Sequence, residues 1–257
     1  MKHFRKKIME KMEFVYICVV IGLPILVYCC IDLDKEIKIV LGSSSSARKQ
    51  VLDYSQIEYI SVSADIDETL IKNDDPKQLV LDIASFKAIK LGSRLNGEDC
   101  ILITADQIVL NKSEIYLKPI DKKEANKFLQ SYSNKSVKTV TGIVATNMLT
   151  GKIAKAVDVS TIYFDEITDK EIEQICIPEF QSNIWEKTQN FLFLPHYIPL
   201  KKKIYMEKQK VNVFDCCGAL AIEHPVFLKK IRKIEGTVSS VLGLPLNVML
   251  RLIEVVK

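Results

Sequence analysis

No C-x-x-C pair occurs in this chain of 257 residues, and histidine is present only at His3, His196 and His224. A zinc site needs thiolate or imidazole ligands clustered at short spacing, and this pattern excludes one. The seven cysteines are odd in number and scattered. Cys18, Cys29 and Cys30 lie inside one apolar run, and the others are Cys100, Cys176, Cys216 and Cys217. That fails as a disulfide framework and reads as reduced thiols. An excess of charge of one sign is also missing. Lys and Arg number 36 against 32 Asp and Glu; five basic and two acidic side chains fall within residues 1–31, leaving 31 against 30 beyond. A body so close to neutral does not offer the basic stripe of a general nucleic-acid binder. No internal repeat is visible. With 48% hydrophobic and 26% charged residues the chain is neither disordered nor collagen-like. Its length suits one large domain or two small lobes, with a sizeable core.

What is present begins with an uncharged run of 18 residues, Phe14 to Ile31, preceded by Lys2, Arg5, Lys6, Lys7 and Lys11 and followed by Asp32 and Asp34. As a helix it would be about 27 Å long, close to the hydrocarbon thickness of a bilayer. Three readings compete: a signal anchor, a cleaved signal peptide, and an upstream extension foreign to the mature protein. A buried soluble helix is disfavoured because no polar face is present and Pro24 interrupts the run. The body is therefore expected from about residue 37, with residues 1–36 set apart as a basic N-terminus carrying this segment. Localisation is then cytoplasmic or membrane-anchored, with the side of the membrane open.

Strands and helices alternate along the body. Strand patterns cover Ile37–Leu41, Ile57–Val62, Cys100–Thr104, Val137–Asn147 and Ile153–Phe164, with Thr150-Gly151 as a turn between the last two. Helix patterns run from Ala47 to about Tyr54, and from the opening Asp75-Pro76 to about Leu91, where Gly92 reads as a stop. Others cover Lys122 to Tyr132, Thr168–Ile175 and Leu246–Val256. Residues 181–210 are irregular. The alternation implies an α/β fold whose sheet is at least partly parallel or mixed.

Four features carry chemistry by type and spacing. The stretch Leu41-Gly42-Ser43-Ser44-Ser45-Ser46-Ala47-Arg48 joins a strand to a helix, where backbone N–H groups favour an anion and Arg48 adds charge. Plain N-capping by serine is the alternative. Lys87 falls on the apolar stripe of Val80, Ile83, Ala84 and Leu91, where it either snorkels outward or meets an anion. Asp106 follows a buried run near the carboxyl end of its strand, where open α/β sheets bind ligands; a turn-forming aspartate is the alternative. Asp65, Asp67 and Glu68 form a carboxylate cluster able to hold a hard cation, or else a solvated loop. The combined inventory suits a divalent metal with a polyphosphate.

In this order the motifs resemble the Maf family of nucleoside triphosphate pyrophosphatases over nearly all of residues 37–257. The opening LASxSPRR motif stands here as the Leu41–Arg48 stretch, and the acidic motif as Asp65-Ile66-Asp67-Glu68. Lys87-Ala88, Thr104-Ala105-Asp106-Gln107, Leu117-Lys118-Pro119, Cys217-Gly218 with Glu223, and Gly243-Leu244-Pro245 match the rest. The departures are Ser46 and Ala47 in place of a proline and the first arginine, an insertion at about 181–210, and the hydrophobic N-terminus. The resemblance implies a two-lobed, ITPase-like fold with a mixed central sheet and a cleft between the lobes, in many members as a homodimer. It implies hydrolysis of a nucleoside triphosphate to the monophosphate and pyrophosphate with Mg or Mn. Arg48, Lys87 and Lys118 would clamp the phosphates, and Ser43, Ser44 and Ser45 would cradle them. Glu68 and Asp106 would hold the metal, with Asp106 also orienting the attacking water. Gln107, Glu223 and the missing arginine at Ala47 are similar to the 7-methyl-GTP branch rather than the dTTP/UTP branch. The rival reading is a catalytically weak nucleotide-binding regulator tethered to a membrane.

Overall fold

The computed structural model describes residues 37–177, 180–181 and 210–257. In chain order these form β1 (Lys38–Leu41), α1 (Ser46–Tyr54), β2 (Ile60–Ser61), α2 (Pro76–Leu95), β3 (Cys100–Asn111), β4 (Glu114–Tyr116) and α3 (Lys122–Tyr132). Then follow β5 (Ser136–Asn147), β6 (Ile153–Phe164), α4 (Asp169–Ile175), β7 (Phe180–Gln181), β8 (Lys210–Val211), α5 (Pro225–Leu228), β9 (Ile231–Glu235), α6 (Val238–Val241) and α7 (Leu246–Val256). Short 3-10 turns lie at Glu68–Leu70, Val213–Asp215 and Cys217–Ala219.

One seven-stranded sheet in the order β2-β1-β3-β5-β6-β9, with β4 added against β3, spans the molecule. Strand β1 runs parallel to both β2 and β3, whereas β3, β5, β6 and β9 pair antiparallel, so the sheet is mixed and open. Both faces are covered. On one, α2 lays Ala84, Ala88 and Leu91 on Val40, Leu102 and Val144. The other carries the larger core, in which Leu52, Phe128, Leu129, Tyr132, Met249 and Ile253 pack over Leu41, Ile103 and Ile143. Covering on both faces explains why Cys100 to Ala105 is a continuous buried run instead of an alternating one.

One glycine sets the distance between helix and sheet. A Cβ on Gly142 would lie 2.5 Å from the carbonyl carbon and oxygen of Val80 in α2. Gly142 is the register partner of Asp106. The close approach therefore brings α2 down beside Asp106, and Lys87 follows Val80 by two turns on the same stripe.

Several boundaries move from their expected places. The Pro76 helix does not stop at Gly92 but runs to Leu95, because Leu91 and Leu95 keep its stripe packed on the sheet. Strand β3 continues past Thr104 to Asn111, since Asp106 and Gln107 are held in full register with Gly142 and Thr141. The strand expected at 57–62 shrinks to Ile60–Ser61. The helices at 122–132 and 246–256 and the strand at 153–164 stand where their periodicity places them. Thr168 closes a reciprocal capping box with Glu171 at the start of α4.

The hydrophobic run 14–31 and most of the expected insertion lie outside the described residues. The strands at the insertion's two ends, β7 and β8, pair antiparallel with Phe180 opposite Val211. Among the described residues no helix is long and apolar enough to cross a membrane.

Candidate active site

A cleft of about 630 Å³ opens along the carboxyl end of β1 and the middle of β3. Ser43, Ser44, Ser45, Ala47, Arg48, Glu68, Lys87, Asp106, Gln107, Lys118 and Glu223 all line it. These eleven candidate residues, drawn from a span of 181 positions, thus meet in one place, whereas Asp67 of the acidic cluster does not line the cleft.

The first wall is the loop from β1 to α1. Ser45 caps α1, its hydroxyl accepting from Arg48 N at 3.4 Å, so the N-capping reading holds at that residue. The Ser43 hydroxyl accepts from Ser45 N at 3.2 Å and from Arg48 Nη1 at 3.2 Å. Arg48 Nε donates to the Gly243 carbonyl at 2.8 Å, which ties the guanidinium to the C-terminal segment. The planar fork is held at two points and remains on the cleft wall.

The floor is an ionic triad. Lys87 Nζ lies 2.6 Å from Glu68 Oε1 and 2.8 Å from Asp106 Oδ1. Lys87 is 8% exposed, so its ammonium meets anions inside the fold and does not snorkel. Removing the lysine would leave Asp106, itself 6% exposed, as an unpaired buried charge. Burial pushes the Asp106 carboxyl up from its ordinary value; Lys87 and Arg48 pull it back down, and Glu68 adds to the rise. Asp106 is therefore a strand residue, not a turn former.

Of the two readings of the acidic cluster, a cation site or a solvated loop, Asp65 and Asp67 follow the second, since both are exposed. Asp67 turns away to cap the 3-10 turn, accepting from Thr69 N at 3.1 Å and Thr69 Oγ1 at 2.6 Å. Asp65 accepts from Ser63 Oγ at 2.6 Å. Only Glu68 reaches the triad, and among the described residues no group of three or more His, Cys, Asp or Glu is arranged to hold a metal.

The far wall is the segment after β8. Tyr132, inside a stack with Phe164 and Phe227, donates its hydroxyl to Gly218 O at 2.7 Å. Gly218 N in turn donates to Leu117 O at 2.8 Å, beside Lys118. These bonds hold a turn in which Gly218 and Ala219 both take left-handed backbone angles. Glu223 follows, 2% exposed, and among the described residues its Oε1 has no hydrogen-bond partner. Burial raises its carboxyl to about 7, against only its own backbone N–H, and among the described residues no lysine forms an ion pair with it. Cys217, which opens the Cys217-Gly218 motif, also lines this wall, as do Asn212, Asp215 and Cys216, which carry no motif of their own. Burial pushes both thiols up, Cys217 to about 11, so neither is a thiolate nucleophile near neutral pH.

The family model described as Maf-like protein matches residues 38–179 and 199–256. A protein named 7-methyl-GTP pyrophosphatase from Dictyostelium discoideum is 30% identical over 222 residues, covering 84% of this chain and 95% of that one. One named dTTP/UTP pyrophosphatase from Hydrogenovibrio crunogenus is 28% identical over 81% of this chain and 91% of its own. A nucleoside triphosphate pyrophosphatase from Chlamydia pneumoniae is 26% identical over 85% of this chain and 94% of its own.

Proposed function

This chain belongs to the Maf-like protein family, and we propose that it is a nucleoside triphosphate pyrophosphatase that uses this cleft. Water attacks the α-phosphorus, the bond to the bridging oxygen breaks, and the products are the nucleoside monophosphate and pyrophosphate. The observation that carries the reading is Lys87 held between Glu68 and Asp106, facing the serine loop and Arg48 across one cleft.

Phosphoryl transfer is catalysed by positioning and by neutralising oxygen charge. Arg48 and Lys118 hold phosphate oxygens, and the backbone and hydroxyls of Ser43–Ser45 cradle them. Asp106 orients the water and takes its proton. Burial supports this role, because a carboxylate raised towards the working pH is a stronger base. Lys87 keeps Glu68 and Asp106 apart in charge and stands ready to exchange one for a phosphate oxygen.

The donor set fits a divalent metal that arrives with the nucleotide. Among the described residues three cations (Arg48, Lys87, Lys118) face five carboxylates (Asp65, Glu68, Asp106, Asp215, Glu223) on the cleft walls, so these side chains alone do not neutralise a triphosphate. Mg²⁺ is commonly held by one or two carboxylates and the substrate's phosphates. Glu68 and Asp106 would hold it, and it would supply further neutralisation of phosphate charge.

At the other end Glu223 favours a 7-methylated purine over thymine. When ionised, its Oε1, unpartnered among the described residues, accepts from the N1–H or N2–H₂ donors of guanine, and a cationic 7-methyl ring strengthens the contact. A thymine edge turns two carbonyl oxygens towards the same group and leaves it unpaired. The name of the Dictyostelium relative supports this choice. The test is pyrophosphate release from 7-methyl-GTP, GTP, UTP, CTP and dTTP with Mg²⁺ or Mn²⁺. Release with 7-methyl-GTP ahead of dTTP is expected. Release with dTTP ahead defeats the base assignment, and release from none defeats the enzyme and leaves the nucleotide-binding regulator.

A further inference from the structure

Behind the cleft wall the hydrogen bonds converge on Ser240, a fully buried residue of α6. Its carbonyl oxygen accepts from Gln107 Nε2 at 2.8 Å and from Gly243 N at 2.9 Å. Gly243 O in turn receives Arg48 Nε at 2.8 Å. The second amide hydrogen of Gln107 goes to Thr141 Oγ1 at 2.9 Å, so its nitrogen is fully committed. That fixes the amide, with Oε1 as the end left for the cleft. The meeting point is tight: a Cβ on Gly243 would lie 3.2 Å from Arg48 Nε and 3.3 Å from Gln107 Oε1. Gly243 also has φ +85°, which a side chain would strain.

The anchor of this arrangement lies outside the cleft. The Ser240 hydroxyl donates to Asp158 Oδ2, on β6, opposite Thr141 in the sheet register. The Ser240 N–H is held separately by Thr237 Oγ1 at 3.1 Å. A charge-assisted bond from a central strand thus fixes the one residue whose carbonyl aims both Gln107 and, through Gly243, Arg48.

We infer that Asp158 is a positioning residue for nucleotide selection, acting through Ser240 on the Gln107 amide. The inference rests on the nucleotide reading of the cleft. Without Asp158, α6 stays packed through Val241 and its Thr237 cap, but the Ser240 carbonyl loses its fixed aim. Gln107 then samples other amide orientations, and an amide that can turn either donor or acceptor to a base discriminates less.

The measurement is the ratio of kcat/KM for 7-methyl-GTP to that for dTTP, which does not depend on the fraction of folded enzyme. In full-length protein, Asp158→Ala is expected to lower that ratio about fivefold, the scale of one lost hydrogen bond. Asp158→Asn keeps an acceptor and should stay within about twofold of wild type. Ser240→Ala breaks the same contact from the other side and should match Asp158→Ala, which covers the case where Asp158→Ala does not fold. Gln107→Ala combined with Asp158→Ala should lose no more selectivity than Gln107→Ala alone. An unchanged ratio in both Asp158→Ala and Ser240→Ala overturns the inference, as does full additivity with Gln107→Ala. If wild type releases no pyrophosphate from any nucleotide, the enzymatic reading has failed instead.

Discussion

Arg48 is tied to Ser43 and Gly243, and Lys87 to Glu68 and Asp106, whereas across the same cleft Glu223 keeps a buried carboxyl oxygen with no partner among the described residues. The two ends are linked by adjacent thiols. Cys217 lies within electrostatic reach of Asp106, Arg48 and Lys118, and Cys216 within reach of Glu223 and Asp215. A paired end is preorganised: its groups are already aimed, and a phosphate of any nucleotide finds them so. An unpaired buried acceptor is costly in the free protein and is satisfied only by a ligand that donates to it. The difference teaches a division of labour, with reaction at one end and selection at the other.

The largest effect should come from breaking the paired end. Asp106→Asn keeps the shape and removes the charge, so kcat should fall by about 10²–10⁴-fold for every nucleotide. Circular dichroism and thermal melting should show an intact fold. Turnover within tenfold of wild type would remove Asp106 from its role.

Next in size is Glu223→Gln. At pH 8, above the raised Glu223 value, the amide presents a donor where the carboxylate only accepts, and the ratio of kcat/KM for 7-methyl-GTP over dTTP should drop by about tenfold or more. The division predicts that kcat for the better substrate changes far less than this ratio does. A uniform loss on all nucleotides would mean that Glu223 serves the chemistry.

Arg48→Lys sharpens the contrast. A lysine cannot bond Ser43 and Gly243 together as the planar fork does, so KM should rise by roughly tenfold for all nucleotides, with the selectivity ratio held within about twofold. A large change of ratio here would blur the two ends into one.

The last effect is on stability, not on turnover. Burial raises Glu223 from 4.5 to about 7 in the folded protein. Between those values the folded chain keeps a proton that the unfolded chain has released, so stability falls as pH rises through that window. The cost reaches roughly 3 kcal/mol above pH 7. Melting curves should show Glu223→Gln gaining on wild type from pH 5 to pH 8. Parallel curves would mean that the carboxyl titrates normally.

Much of this was readable from local pattern. The serine loop, Lys87, Asp106, Lys118 and Glu223 lie in short motifs, and the fold brings all of them to one cleft. Lys87 was ambiguous because a stripe position does not say whether an anion faces it; Gly142, which lets α2 approach β3, decides that and lies 55 positions away. Strand β3 was read too short because Asp106 and Gln107 interrupt an apolar run, while pairing with β5 supplies what propensity does not. The acidic cluster leaves both of its readings open in sequence because a carboxylate near a turn can cap it, as Asp67 does. Asp158 and Ser240 carry no local signal at all, being 82 positions apart and joined only by the packing of α6 on β6.

The most direct measurement is the product balance of wild-type turnover with Mg²⁺, followed by ³¹P NMR or ion exchange. The account predicts nucleoside monophosphate and pyrophosphate in equal amounts, both lost in Asp106→Asn. Nucleoside diphosphate with orthophosphate, or pyrophosphate release that survives Asp106→Asn, would contradict it.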